Sequence, residues 1–195
     1  MTNDPFGSHI GILMGIPKFV TTPIETVVEF GCGFYSTMTF LSSYPNLKTL
    51  FSLESNPIWL AQMQQTAWDT RVQFKQDTEA GLARFATGLY CDLAFIDGAT
   101  PEYRVVSFLA IAKTAKLIVV HDVENDYYNP IKNLPNFKII TFKQLLPWTA
   151  LYIPKTNTQA LKDFEDDYFN SSWLLQPKRS SISNTKEHNE DNSSS

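Results

Sequence analysis

The chain has only two cysteines, Cys32 and Cys91, in 195 residues. So few cannot build a disulfide framework, and the expectation is a reduced protein of the cytoplasm. No run is long and apolar enough to span a bilayer, and residues 1–7 lack the basic stretch of a secretory signal. Positive charge is short as well: 16 Lys and Arg against 20 Asp and Glu give a net charge of −4. No overall field draws nucleic acid or anionic lipid, so neither is expected as a partner, and only a local basic patch stays open. The three histidines, His9, His121 and His188, are far apart and form no metal-binding tract.

What is present suits one α/β domain. The chain is 43% hydrophobic and 18% charged, enough for a sizeable core. It shows no internal repeat and no second domain, so residues 1–175 are expected to fold as one unit. From 176 onward Ser, Asn, Lys and Glu dominate, and that tail is expected to be disordered because it has too little apolar surface to offset ordering. Between them, 161–175 carries Phe164, Tyr168, Phe169 and Trp173, which could pack on the domain, cover a crevice or meet a partner.

Apolar periodicity and turn residues predict alternating strands and helices. A helix is expected over 8–19 with Ser8 as its N-cap, then a strand over 24–30 and a helix over 36–43 stopped by Tyr44-Pro45-Asn46. A second strand spans 49–54. Asn56-Pro57 starts the next helix, cap followed by proline, with Ile58, Trp59 and Met63 as its apolar stripe. A strand over 72–76, a helix over 79–86, a near-continuous apolar strand over 92–98 and a helix over 102–113 follow. The strand over 115–120 ends at His121-Asp122. The last two strands, 137–142 and 149–153, are too close for a parallel crossover, so they must be antiparallel if they pair.

The chemistry gathers at strand ends. Val27-Val28-Glu29-Phe30-Gly31-Cys32-Gly33 reads as strand, tight turn and helix start, where glycines permit a sharp turn and close ligand approach and exposed N–H groups suit a negative ligand group. A dinucleotide loop would carry a third glycine where Ser36 stands, and Glu29 would repel a pyrophosphate. Cys32 is read as a small packing residue of the turn. Glu54 ends the second strand about 20 residues past Gly31, placed to take a ribose diol. Asp77 and Asp97 end the third and fourth strands. In a parallel sheet such ends border the ligand crevice. His121, beside Asp122, would face the same crevice and take a proton at neutral pH; His9 and Trp59 are read as structural.

Glu29-Phe30-Gly31-Cys32-Gly33, the strand-end acids and the closing antiparallel pair together resemble class I S-adenosylmethionine-dependent methyltransferases, over roughly 24–154. The resemblance implies a Rossmann-like seven-stranded, mostly parallel sheet with helices on both faces. It implies that Glu29 serves the ammonium side of the cofactor through backbone or water, and that Gly31 and Gly33 pass under the methionine part. Glu54 would hold the ribose and Asp77 contact the adenine amine, with Ser36, Ser55 and Asp97 completing the cofactor set. Tyr35 stands where the family's third glycine usually falls. Phe95-Ile96-Asp97-Gly98, then Tyr103, looks like the fourth motif of small-molecule O-methyltransferases. In their metal-dependent branch the fourth-strand acid and an Asp-Asn pair after strand five hold magnesium. Asp97 and Asp122 match, but Val123 replaces the Asn, so Mg²⁺ is possible and not favoured. The expected catalytic set is therefore His121, Asp97 and Asp122, acting without a metal on a small or medium acceptor, at oxygen. Two other readings stay open: a nicotinamide-dependent oxidoreductase and a non-catalytic cofactor-binding module.

Overall fold

A computed structural model describes residues 7–98 and 100–170, with the backbone alone for 166–170. The expected behaviour of the tail, and of Tyr168, Phe169 and Trp173, falls outside the described side chains. The elements in order are α1 (Ile10–Phe19), β1 (Thr26–Phe30), α2 (Ser36–Ser43), β2 (Thr49–Glu54), α3 (Pro57–Thr66), β3 (Val72–Gln76), α4 (Glu79–Ala86), β4 (Leu93–Ile96), α5 (Pro101–Ile111), β5 (Ile118–His121), α6 (Asn129–Lys132), β6 (Phe137–Phe142), β7 (Thr149–Pro154) and α7 (Thr158–Asn170).

The seven strands form one sheet in the order β3-β2-β1-β4-β5-β7-β6. The first five are parallel, and β7 runs antiparallel to both β5 and β6. This is the Rossmann-like sheet with an antiparallel closing pair, as expected. β1 and β4 sit side by side where the winding reverses, with Glu29 in register with Phe95, so the crevice opens beyond their C-terminal ends.

Alternation along the strands sorts the core onto two faces. Val27, Leu93, Phe95 and Val119 pack with Leu13, Ile16 and Phe40 on one side. Val28, Ala94, Ile96, Ile118 and Val120 pack with Phe108 and Ile111 on the other. β4 and β5 are buried along their whole length, while the edge strand β3 is not, which is why the first two read as unbroken apolar runs. Truncating Phe95, fully buried between β1 and β5, is the kind of change that costs about 3–5 kcal/mol.

Four local expectations need correction. β1 starts at Thr26 because the Asp92 carboxylate takes the N–H groups of Glu25 and Thr26, at 2.8 and 2.9 Å, just ahead of the ladder. β5 starts at Ile118, with Ala115 contributing an isolated bridge to Cys91. On α3 the buried stripe is Leu60 and Met63. Asn56 caps that helix as expected, accepting from Ile58 and Trp59 N–H, but Ile58 is turned outward and 73% exposed. Ser8 does not cap α1; His9 holds the cap position without a side-chain bond, and the Ser8 hydroxyl is used elsewhere.

α1 is pinned within its first half and again just past its C-terminal end. Tyr44 Oη donates to Leu13 O at 2.7 Å, and past the helix Thr21 gives both its N–H and its hydroxyl to Asp163 Oδ2 on α7. Phe164 packs against Phe19 with ring centroids 5.6 Å apart, so this aromatic of 161–175 returns to the core. Among the described residues, no helix is long and apolar enough to cross a membrane.

Candidate active site

Gly31 is at the centre of the crevice floor. Its φ of 87° lies in the left-handed region, and a Cβ there would come within 2.6 Å of Asp97 O. Only glycine lets the β1–α2 turn press this closely on the chain leaving β4. The press is secured from both sides, Gly31 N–H donating to Leu53 O at 2.8 Å and Asp97 N–H to Phe30 O at 2.9 Å. Trp59 Nε1 donates to Cys32 O at 2.5 Å, and its ring meets Phe34 edge-on. The indole thus holds the turn as well as packing. Gly33, Tyr35, Ser36, Trp59, His9 and Asp97 help line a crevice of about 390 Å³.

Glu29 lies beneath this floor and does not line the crevice; its side chain is fully buried. Thr37 and Ser52 hydroxyls donate to its Oε2, each at 2.7 Å, and Oε1 has no hydrogen-bond partner among the described residues. Burial pushes its carboxyl up to about 7, against the pull of hydrogen bonds from Ser36, Ser52 and Thr37. Any service it gives a cofactor is therefore indirect, through the start of α2. Glu54 ends β2 with Oε1 accepting Asn56 N–H at 2.7 Å and Oε2 facing the Cys32 thiol at 3.7 Å. Burial raises that thiol far above its ordinary value, in keeping with packing. Glu54, Ser55, Glu79, Gly98 and Tyr103 line a second hollow across Gly31, only about 20 Å³ in volume. Asp77 is not among its lining residues; its Oδ1 accepts Thr78 N–H at 2.7 Å at the start of α4, and Glu79 takes the place beside the hollow.

On the β4–β5 side the expected cluster does form, but with two additional members. Asp97, His121 and Asp122 come together at the strand ends, and Arg104 reaches up from α5 between the two carboxylates. Its Nη2 is 3.1 Å from Asp97 Oδ1, and its Nη1 donates to Asp122 Oδ2 at 2.5 Å. It also donates to Gly98 O and His121 O. Asp122 has φ 61°, an unusual backbone for a residue with a side chain, held there by this pairing. Burial alone would raise the Asp97 carboxyl, but the His121 hydrogen bond and charge, with Arg104, hold it below the usual carboxylate range.

The expectation that His121 faces the crevice is corrected. The residue is 3% exposed, and its ring is roofed by Ser8 and His9 just ahead of α1. Nε2 lies 2.7 Å from Ser8 Oγ, and Nδ1 lies 3.2 Å from Asp97 Oδ1 and 3.5 Å from Asp122 Oδ1. The histidine at the crevice wall is His9, 2% exposed, packed on Phe95 and edge-on to His121. Burial, and then the nearby His121, lower its imidazole to about 4. Neither Arg104 nor His9 carries a local signal. Arg104 is one turn into a helix whose first residues, Pro101 and Glu102, mark only its start, and His9 precedes the first helical residue of α1.

No family model and no curated protein matches the chain. Solved structures match its fold at low identity. A Staphylococcus aureus protein provisionally named a caffeoyl-CoA O-methyltransferase is 14% identical over 74% of this chain and 82% of its own, with a TM-score of 0.61. An rRNA methylase from Streptococcus thermophilus is 13% identical over 79% and 98%, TM-score 0.55. The N-methyltransferase NodS from Bradyrhizobium japonicum is 10% identical over 79% and 99%, TM-score 0.53. Fold and strand order together define the chain as having the class I methyltransferase fold. Three such neighbours named for different acceptors show why the fold does not choose one.

Proposed function

We propose that the protein is an S-adenosylmethionine-dependent methyltransferase acting on a small or medium acceptor, at oxygen. The observation that carries the reading is the crevice floor: a left-handed glycine in contact with the chain leaving β4, and an acid at the tip of β2. Gly31 and Gly33 pass beneath the methionine part, and Glu54 takes the ribose diol. The charged groups lining the two hollows, Glu54, Glu79 and Asp97, are acidic and suit a cationic ligand better than a pyrophosphate. The hollow beside Glu54 is narrower than an adenosine, and Tyr103 stands exposed at its rim.

Methyl transfer is a displacement at the carbon of a sulfonium, so the protein aligns the two reactants and excludes water. A hydroxyl acceptor must also lose its proton. That place is the wall formed by His9 and Asp97, because His121 lies behind it. The oxidoreductase reading loses its remaining support, since it needs β6 and β7 parallel and they are antiparallel.

Titration calorimetry with S-adenosylhomocysteine tests the proposal. Binding that NADH does not compete away is the expected result. Tight NADH binding with no response to S-adenosylhomocysteine would refute it, and binding without turnover on any hydroxyl acceptor would favour a non-catalytic module.

A further inference from the structure

We propose that His9, Asp97 and His121 form a site for a divalent transition-metal ion, of the kind bound by two imidazoles and a carboxylate. One ligand atom from each residue lies within 4.8 Å of the others. With bonds of about 2.0–2.2 Å, ligands around a tetrahedral ion stand about 3.4 Å apart, so a small rotation of His9 closes the site.

Hydrogen-bond direction supports the placement. Ser8 Oγ is within hydrogen-bond distance of both Pro147 O, at 3.1 Å, and His121 Nε2, at 2.7 Å; when its single proton goes to Pro147 it accepts from Nε2. In that tautomer Nδ1 gives up the proton it otherwise donates to Asp97, and its lone pair faces carboxylate oxygens of Asp97 and Asp122. Acceptors do not face one another unless something positive lies between them: a second proton on His121 or a metal ion. A histidine that ligates a metal ordinarily donates its other ring N–H to a neighbouring acceptor, the part Ser8 plays here.

Three buried atoms around this point have no hydrogen-bond partner among the described residues: both ring nitrogens of His9, and Asp122 Oδ1. His9 lines the crevice and is buried, an unpartnered imidazole that a metal would satisfy. Arg104 holds one oxygen each of Asp97 and Asp122, fixing both carboxylates and standing between them where a bridging magnesium would need room. The remaining donor set is nitrogen-rich, which favours Zn²⁺, Co²⁺ or Fe²⁺ over the all-oxygen preference of Mg²⁺ and Ca²⁺. Because His9 and Asp97 form the crevice wall, the open coordination position faces the crevice. Use of the ion to acidify an acceptor hydroxyl rests on the methyltransferase reading; the site itself does not.

The test uses the full chain stripped with a chelator and titrated with Co²⁺, then Zn²⁺. One Co²⁺ per chain is expected, with visible absorption that Zn²⁺ abolishes by displacement. His9→Ala should remove that spectrum, Ser8→Ala should weaken binding by about 10–100-fold, and His188→Ala should leave it unchanged, each with an unaltered circular dichroism spectrum. Absence of Co²⁺ uptake overturns the proposal, as does a spectrum that survives in His9→Ala. So does ¹⁵N NMR showing both His121 nitrogens protonated in the presence of Zn²⁺, which would put the second proton where the ion should be. S-adenosylhomocysteine binding to the metal-free chain is measured in parallel, so either reading can fail alone.

Discussion

Glu29 and Asp97 are carboxylates at the ends of neighbouring strands, and the protein treats them in opposite ways. Glu29 is sealed among hydroxyls from α2 and β2 with no ion pair among the described residues, and burial favours its neutral form. Asp97 meets a guanidinium and an imidazole and is held ionised. One end of the crevice is thus organised by neutral hydrogen bonds, the other by charge. The same residue chemistry in the same sheet takes its character from whatever side chains cross over to meet it.

The largest effect should come from removing the cation. Arg104→Met leaves two carboxylates without their partner in a largely buried setting, and should cost about 3–5 kcal/mol in urea unfolding at pH 7. Because Asp97 is depressed below its ordinary 3.8, the pairing stabilises the fold above that pH and is lost as pH falls below it, so the deficit should shrink in acid. A loss under about 1 kcal/mol would remove the contrast with Glu29.

Glu29 predicts the reverse pH trend. Its folded carboxyl keeps a proton up to about 7, whereas the unfolded one releases it near 4.5. Between those values the folded state binds more protons, so stability falls as pH rises, by at most about 1.4 kcal/mol per pH unit, and levels off above 7. Glu29→Gln cannot ionise, so its stability relative to the parent should climb across that window. Parallel stability–pH curves for the two proteins would show that Glu29 titrates normally and that the comparison is wrong.

The smallest effect concerns the ligand. Glu54→Ala should weaken S-adenosylhomocysteine by about 1–3 kcal/mol, the range for leaving buried hydroxyls without an acceptor. Calorimetry on the variant is the check, and undiminished affinity would remove Glu54 from the ribose.

The two ends of the crevice also differed in how far the sequence disclosed them. The β1–β2 end is built from local chain: Gly31 follows Glu29 by two residues, and punctuation such as Tyr44-Pro45 and Asn56-Pro57 gives α2, β2 and α3 their limits. There the expected 36–43 and 49–54 match the observed elements. The β4–β5 end is built by long-range contact. Ser8 meets His121 across 113 positions and Pro147 across 139, and no spacing rule reaches that far. His121, Asp97 and Asp122 were legible because they end strands. That His9 would stand in front of His121, and Arg104 between the acids, depends on where two helices pack. Asp77 follows the end of β3 as expected, and one of its carboxylate oxygens accepts from the next turn of chain, a local bond that its strand-end position did not disclose.

The pinning of α1 has a mechanical consequence. Ten residues at about 1.5 Å each make a rod of about 15 Å, with the crevice wall at its tip and the Thr21–Asp163 tie beyond its heel. His9 is kept at the wall by the Ser8 bonds to His121 and Pro147 beside it, by the Tyr44 tie to Leu13 and, past Pro17, by the Asp163 tie to Thr21. The clearance at the crevice wall therefore depends in part on joints that do not line the crevice, and the Thr21–Asp163 tie is one of them.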